Sequence, residues 1–369
     1  MLFYLDDSLI ADPADPEFHT INMCVRKLAE SVSEGHHLLM GSYEVISHFN
    51  KVFQNVGEDI SSLFNQMEKY EDFRDIPNEL TYYVEIVRND PQLVRTEGKK
   101  TIAQVNYKNF EKTPASQCTV LLGEDTRDCA YYREILGWYK RNINPTNLRH
   151  CFEDMLGGGG QTHDQIKRVK GRKRPCLAIV DTDKKYPTQS IDPNSTGGKC
   201  ISIPRTPLYE LIVLDVQEIE NLIPNNHLCL YQFNGQGAAN KLHFDSYIGY
   251  DDTEELMQFY DYKDGIKKAD IKDKPVYKAF AEKFYAHNTI INHGQTFEEY
   301  LNTLGDDDCV IPGLQKNILE KVRETIAKTR KDAKYQEPVL FKFQEREWRR
   351  IGEAMLNWGC SHNTEAIII

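Results

Sequence analysis

The sequence lacks any apolar run long enough to cross a bilayer, and its first residues, MLFYLDD, lack the basic flank of a secretory signal. It contains no Cys-x-x-Cys pair and no His-x-x-x-His pair, because its nine cysteines are scattered singly. A Gly-x-x-x-x-Gly-Lys-[Ser/Thr] loop is also missing, which argues against a P-loop ATPase. These absences predict a cytoplasmic protein with no membrane partner, with no zinc module, and with cysteines that are buried or incidental thiols kept reduced.

The sequence also has no excess of positive charge. The 45 Lys and Arg residues are outnumbered by 56 Asp and Glu residues, which gives a formal net charge of −11. Such a balance argues against unselective coating of nucleic acid but allows a local basic track. A length of 369 residues predicts more than one packed unit. We expect a mainly helical amino-terminal domain at 1–115, a catalytic α/β domain at 116–235, and a mainly helical region at 236–369 that completes the site.

Three apolar runs in the middle of the chain stop at acidic residues. The run TVLLG ends at Glu124, the run LAIV ends at Asp181 and Asp183, and the run LIVL leads to Glu218 and Glu220. Short β-branched runs of this kind are typical of buried parallel strands, whose carboxyl ends meet at one edge of a sheet. The sequence therefore predicts an α/β fold with a parallel sheet flanked by helices and with acids gathered at one edge.

Carboxylates gathered at one place repel one another and are costly to bury unless a cation holds them together. Oxygen ligands without neighbouring His or Cys favour Mg²⁺ or Mn²⁺, as one or two ions. Residues two apart on a strand point to the same side, which suits Asp181 and Asp183. Asp128, one helical turn beyond Glu124, is a further candidate ligand.

These residues together resemble the Toprim domain of topoisomerases, primases and nucleases. The segment LGED at Leu122–Asp125, the glycines 157–160, the segment VDTD at Val180–Asp183 and the segment EIEN at Glu218–Asn221 most resemble the Toprim nucleases of the OLD family, in their stand-alone anti-phage form. The resemblance implies a Rossmannoid sheet and a magnesium- or manganese-dependent endonuclease, a hydrolase acting on ester bonds in antiviral defence. It also implies that a separate ATPase or sensor protein controls the chain.

The resemblance assigns roles to individual residues. The catalytic residues implied are Glu124, Asp181, Asp183 and Lys263, and the metal ligands implied are Glu124, Asp128, Asp181, Asp183, Glu218 and Glu220. Lys267 or Lys268 could replace Lys263 as the lysine that stabilises charge on the scissile phosphate. The sequence leaves open which of Glu218 and Glu220 points inward, since one of them could brace the turn through Asn221.

A glycine run and a basic run are the candidate nucleic-acid contacts. Four consecutive glycines weaken any regular element, so they indicate either a phosphate-contacting loop or a flexible surface loop. Six cations close together in an acidic chain indicate either a phosphate track or a solvated face. The residues predicted to bind nucleic acid are Gly158, Gly159, Lys167, Arg168, Lys170, Arg172, Lys173 and Arg174.

We expect DNA as a substrate in preference to RNA, and an assembly of identical copies also fits. The alternative to a nuclease is a Toprim-like module that binds nucleic acid or a nucleotide without cutting it. The run LFYL, followed by Asp6 and Asp7, vaguely resembles the start of a PIN nuclease. The simpler interpretation is an edge strand with solvated aspartates, so we place no site there.

Overall fold

A computed structural model describes residues 1–69, 76–91, 94–330 and 335–362. The chain forms two compact units, and neither is a continuous segment. Unit 1 contains Met1–Val180, Cys200–Ile212 and the stretch from Arg349 on, and unit 2 contains Asp181–Lys199 and Val213–Trp348. This division does not follow the boundaries predicted near residues 115 and 235, because the chain passes from one unit to the other several times.

The first part of unit 1 is a layer of helices on a five-stranded sheet with the order β2-β1-β3-β5-β4. Strand β1 pairs in parallel with β2 and β3, β3 pairs in parallel with β5, and β4 is antiparallel to β5. The elements are β1 Leu2–Leu5, α1 Phe18–Ser33, β2 Leu38–Gly41, α2 Tyr43–Phe53, α3 Glu58–Lys69, α4 Ile76–Glu79, β3 Tyr82–Val87, β4 Val94–Glu97 and β5 Lys100–Asn106.

This region contains the expected helices, but the prediction of a mainly helical domain missed its sheet. Strand β1 is an inner strand between β2 and β3, so its prediction as an edge strand is wrong. Asp6 caps the short 3₁₀ turn that follows β1, its carboxylate accepting a hydrogen bond from the Ser8 amide at 2.9 Å. The other strands are not predicted, because the short apolar runs of β2 and β3 do not distinguish a strand from part of a helix, and β4 and β5 are rich in polar residues.

The second sheet of unit 1 has the order β10-β9-β6-β8. Strand β6 lies between β8 and β9 and is parallel to both, and the cores of β6 and β9 are fully buried, as their apolar runs predict. The mixed α/β fold with parallel strands flanked by helices is thereby confirmed. The elements are β6 Thr119–Gly123, α5 Thr126–Asn142, β7 Arg149–His150, β8 Phe152–Leu156, α6 Thr162–Gly171, β9 Cys176–Val180, α7 Thr196–Ile201 and β10 Tyr209–Val213.

Unit 2 is built mainly from helices around an aromatic core that includes Tyr247, Tyr260 and Phe284. Its only regular strand pairing in the described part is the antiparallel contact of β11 with β12. The elements of unit 2 are α8 Asn225–Leu228, α9 Gln236–Asp245, α10 Thr253–Gln258, β11 Ile266–Lys267, α11 Lys268–Ile271, α12 Pro275–His287, α13 Phe297–Thr303, β12 Cys309–Ile311 and α14 Ile318–Thr329. Helix α15, Lys342–Gly359, crosses from unit 2 into unit 1, and β13, Cys360–Ser361, belongs to unit 1. None of the helices in the described ranges is both long and apolar enough to span a bilayer.

The last part of the chain belongs to unit 1. Trp358 stacks on Tyr82, with ring centroids 5.4 Å apart, and its indole Nε1 donates a hydrogen bond to Glu210 at 2.6 Å. Asn357 exchanges hydrogen bonds with Thr81, and β13 pairs antiparallel with β7. Residues far apart in sequence therefore complete the first unit.

Candidate active site

Unit 2 holds a buried pair of glutamates bridged by a lysine. The Nζ atom of Lys263 lies 3.1 Å from Glu218 Oε2 and 3.1 Å from Glu220 Oε1. The Glu220 side chain is only 5% exposed and that of Glu218 only 17%, whereas that of Lys263 is 37% exposed. Both glutamates thus point at the same ammonium, and their predicted role as metal ligands stays a prediction.

Burial and mutual repulsion change the acidity of this group. Burial raises the pKa of Glu220 to about 7, with Lys263 opposing the rise and Glu218 adding to it. Burial alone would lower the pKa of Lys263, but Glu220 and Glu218 raise it well above its usual value. The lysine therefore stays charged, while the carboxyl of Glu220 carries a proton for part of the time at neutral pH.

A second ion pair lies in the same part of unit 2. Lys185 Nζ is 3.0 Å from Asp261 Oδ2, and the Asp261 side chain is 8% exposed. Burial opposes the charge of Lys185, but Asp261, Glu218 and Asp183 raise its pKa above the usual value. The surrounding protein excludes water from the Asp183 carboxyl and so raises its pKa, and the charges of Lys185 and Lys263 oppose this rise. We name the set Asp183, Lys185, Glu218, Glu220, Asp261 and Lys263 the acid-lysine cluster.

The turn that carries the two glutamates is held by Asn221. Asn221 Oδ1 accepts a hydrogen bond from the Glu218 amide at 2.9 Å, and its Nδ2 donates to the carbonyls of Met257 and Tyr260 at 2.8 and 2.9 Å. Gln344 Nε2 donates to the Asn221 carbonyl at 2.9 Å. Asn221 therefore fixes the glutamate turn against the segment that leads to Lys263, and its role is to position other residues.

Hydrogen bonds to the residues on either side of Lys263 fix its segment in place. The carbonyl of Tyr262 accepts hydrogen bonds from the amides of Leu314 and Gln315 at 2.8 and 3.1 Å. Asp261 Oδ1 accepts from the amide of Asp264 at 2.8 Å. Lysines 267 and 268 make other contacts: Lys268 Nζ donates to the Leu304 carbonyl at 2.7 Å, and the Lys267 amide bonds to Asp270. Of the three candidate lysines, Lys263 is the one whose ammonium contacts Glu218 and Glu220.

Asp183 adopts an unusual backbone conformation. Its φ angle is 57°, in the left-handed region that non-glycine residues rarely enter. Its amide donates to the Gln217 carbonyl at 3.1 Å, and Thr182 Oγ1 donates to the Val216 carbonyl at 2.6 Å. These bonds hold the strained turn, and strain of this kind often accompanies functional sites. Asp181, which directly follows β9, is half-buried.

Two predicted acids lie in unit 1. Glu124 directly follows β6 and is half-buried. Asp128 lies in the first turn of α5, where its Oδ2 accepts a hydrogen bond from the Asp125 amide at 2.7 Å. This capping contact accounts for Asp128 without a metal ion. The prediction that Glu124 and the acids of unit 2 form one site stays a prediction.

The glycine run follows β8 and is shaped by close packing as well as by turns. The amides of Gly157 and Gly158 donate to the carbonyls of Gly123 and Glu124 at 2.9 and 3.1 Å. A Cβ on Gly157 would lie 2.7 Å from the Gly123 carbonyl oxygen, and Gly158 and Gly159 have positive φ angles. Gly158 is exposed. The predicted role of Gly158 and Gly159 in binding nucleic acid stays a prediction, but the structure explains why glycines are needed.

The six residues of the basic run differ in their surroundings. The side chain of Arg174 is only 12% exposed, with its guanidinium donating to the Cys118 carbonyl at 2.9 Å and pairing with Glu153 at 2.5 Å. Lys170 donates to the Pro204 carbonyl at 2.6 Å. These two residues brace the fold, so their prediction as free phosphate contacts has an alternative explanation. The exposed members are Lys167, Arg168, Arg172 and Lys173.

The cluster matches a hard cation in its donor chemistry. Glu220 Oε2 is buried and makes no hydrogen bond within the described part of the chain, so one carboxylate oxygen is available. Within those same residues, however, no three or more His, Cys, Asp or Glu side chains are arranged as ligands of one ion. Protein sites for Mg²⁺ often use one or two carboxylates, with water and substrate phosphates as the remaining ligands. The glutamate pair fits that pattern, with Lys263 beside it.

Sequence reasoning missed Lys185 and Asp261. A signal for both was present, because the spacing Asp-x-Lys occurs at Asp183 and Lys185 and again at Asp261 and Lys263. In the structure the lysine of the first pair bonds to the aspartate of the second. The repeated spacing predicts this ion pair only when the two segments are already known to lie side by side in the fold.

Comparison with known proteins adds no relative to this description. No family model, no curated protein and no solved structure matches the chain significantly. The functional argument therefore rests on the side chains of the acid-lysine cluster and on the strand ends.

Proposed function

We propose that the chain is a Mg²⁺- or Mn²⁺-dependent endonuclease of the Toprim type that hydrolyses phosphodiesters of nucleic acid, DNA in preference to RNA. The observation that carries the proposal is the contact of Lys263 with Glu218 and Glu220, at 3.1 Å each, in a largely buried setting. Buried titratable groups with opposed charges and shifted pKa values are common at catalytic sites. The strand-end acids Glu124 and Asp181 are the further ligands that the sequence predicts.

Each residue of the cluster has a role in this proposal. Glu218, Glu220 and Asp183 would hold the ion, which when bound supplies an activated water and neutralises phosphate charge. Lys263 donates hydrogen bonds to a non-bridging phosphate oxygen, where negative charge increases in the transition state. Asp261 keeps Lys185 in place, so a second cation faces the same region. The exposed cations of the basic run contact the phosphate backbone and add salt-dependent affinity.

Control by a partner is part of the proposal. The sequence has no P-loop, so a separate ATPase or sensor protein would switch the enzyme on, in the cytoplasm, as in anti-phage defence.

A second candidate is a module that binds nucleic acid or a nucleotide without cutting it. The observation in its favour is that Lys263 already neutralises the glutamate pair, so the acids have a structural explanation without an ion.

A cutting assay separates the two candidates. Plasmid, linear and single-stranded DNA and structured RNA are incubated with the protein in Mg²⁺ or Mn²⁺, with and without candidate partners. We expect cutting by the wild type and a loss of about a hundredfold or more in rate for Lys263→Ala and for Asp181→Ala, with binding retained. The matched control is Lys278→Ala, which removes a lysine whose partner is the exposed Glu298.

Equal residual activity in the wild type and in both variants, on every substrate and with every partner, would refute catalysis. If nucleic acid is then still bound in a salt-dependent manner, the binding module is the correct alternative.

A further inference from the structure

Two cysteines of unit 1 lie side by side although 33 residues separate them in sequence. Cys118 directly precedes β6 and Cys151 directly precedes β8. These strands are parallel neighbours, and their register pairs Thr119 with Phe152, the next residue in each case. The two cysteines therefore stand opposite each other, and their Sγ atoms are 2.7 Å apart.

This placement suits a disulfide bond. A disulfide needs Cα atoms about 4.4 to 6.8 Å apart and an S–S distance of about 2.05 Å. Neighbouring strands are about 4.8 Å apart, so residues facing each other across β6 and β8 meet the Cα requirement. Bond formation then needs only a small movement of two side chains.

The surroundings make Cys151 the more reactive thiol. A hydrogen bond from Cys118 lowers the pKa of Cys151 to about 7, and the cations of Arg133 and Arg174 act in the same direction. The same contact and burial raise the pKa of Cys118. Cys151 is half-buried, so a small reagent can reach it, whereas Cys118 is buried. A thiolate with a pKa near neutrality is the effective nucleophile in disulfide exchange.

We propose that Cys118 and Cys151 form a redox modification site that closes reversibly to a disulfide linking the starts of β6 and β8. The oxidant is a small-molecule disulfide. The Cys151 thiolate attacks one of its sulfur atoms, forms a mixed disulfide and releases one thiolate. Cys118 gives up its proton and attacks Cys151 Sγ, which releases the second thiolate. Two protein thiols lose two electrons, the reagent gains them, and the two protons pass to the released thiolates.

The other cysteines lack this arrangement. Cys24, Cys129, Cys176, Cys200 and Cys360 are buried, and burial raises the pKa of each thiol. Cys229 and Cys309 are exposed. Exposed single thiols can form mixed disulfides with the reagent, which gives an internal comparison in the same sample.

Peptide mapping of the folded full-length chain tests the site. The reduced protein is incubated with oxidised glutathione, its free thiols are alkylated, and the digest is analysed without reduction. We expect one crosslinked peptide pair joining Cys118 to Cys151, lost on treatment with dithiothreitol. Because the bond closes a loop in the unfolded chain, the melting temperature should rise by roughly 5 °C or more.

Two variants make the test specific. Cys151→Ser changes the half-buried partner and should abolish both the crosslink and the rise in melting temperature. Cys229→Ser removes an exposed single thiol and should change neither. The proposal is overturned if Cys151 stops at a mixed disulfide with glutathione while Cys118 remains free. It is also overturned if the crosslink forms only after the protein is unfolded.

Discussion

At the scale of single residues, the acid-lysine cluster is a balance between repulsion and neutralisation. Glu218 and Glu220 lie close enough to share one ammonium, and one oxygen of Glu220 is left without a hydrogen bond in the described part of the chain. Burying a carboxylate in that condition costs free energy, which the neighbouring lysine offsets only in part. The cluster is therefore a place where binding of a further cation would relieve strain.

The acidity of Glu220 predicts a specific dependence of stability on pH. The carboxyl holds its proton up to about pH 7 in the folded chain, against an ordinary value of 4.5 in the unfolded chain. Between these values unfolding releases a proton, so the stability contributed by this residue falls as pH rises from about 4.5 to 7. We expect Glu220→Gln, measured with chelator present, to gain melting temperature relative to wild type across that range.

Melting curves at several pH values provide the measurement. Glu255→Gln, which alters a half-exposed glutamate of unit 2, is the control and should follow the wild-type pH profile. If Glu220→Gln also follows that profile, Glu220 titrates as an ordinary exposed carboxyl and the buried description of the cluster is wrong.

Sequence reasoning reached part of this cluster and missed the rest for identifiable reasons. The runs that end at Asp181 and Glu124 are buried strands, as their β-branched composition predicts. Only the family resemblance predicts a role for Lys263, because nothing in its local sequence pattern relates it to Glu218. The Cys118 and Cys151 pair was missed, since single cysteines 33 residues apart meet only through strand register.

At the scale of elements, the glycine run between β8 and α6 combines two different requirements. Gly158 and Gly159 have positive φ angles, so they need glycine for backbone conformation. Gly157 needs it for space, because a Cβ there would lie 2.5 Å from Thr162 Oγ1. Gly160 has neither constraint, since nothing lies within 4 Å of a Cβ placed on it.

This contrast gives a matched pair of substitutions. Gly157→Ala should lower the free energy of unfolding by about 1 to 3 kcal/mol, because the packed backbone of β6 and the start of α6 must move apart. Gly160→Ala should stay within about 0.5 kcal/mol of wild type. Denaturant titration measures both values. Equal effects of the two substitutions would show that the run is a uniform flexible loop, as the alternative interpretation of the sequence holds.

Helices were easier to predict than the sheets for a physical reason. Leu314, Ile318, Val322 and Ile326 repeat at helical spacing and are all buried, and the last three lie in α14, Ile318–Thr329. The strands of the first sheet have four to seven residues, too few to show a period. Strand β5, with the sequence KTIAQVN, is also rich in polar residues, which hides it from a search for apolar runs.

At the scale of the whole molecule, the two units are interleaved along the chain. Unit 1 needs residues from Arg349 on, since Asn357 bonds to Thr81 and Trp358 stacks on Tyr82. Composition alone cannot predict that the end of the chain belongs to unit 1, because contacts between segments distant in sequence determine it. Cutting the chain at a predicted boundary would remove part of a core.

A truncation experiment follows from this organisation. A chain ending at Trp348 loses β13 and the contacts of Asn357 and Trp358, so we expect unit 1 to be cleaved rapidly by a protease. A synthetic peptide covering 342–362, added in excess, should restore protection. A chain ending at His362 keeps these contacts and is the control. Equal resistance of both truncated chains would mean that unit 1 folds without its last segment.

Because the end of α15 and β13 belong to unit 1, the order of protein synthesis affects how that unit forms. Residues 1–180 leave the ribosome long before Trp358, and about 180 residues of further synthesis take roughly 10 to 40 seconds. During that interval the partner ring of Tyr82 and the partner strand of β7 do not yet exist. Until synthesis has passed Ser361, nascent unit 1 therefore lacks the ring that stacks on Tyr82 and the strand that pairs with β7.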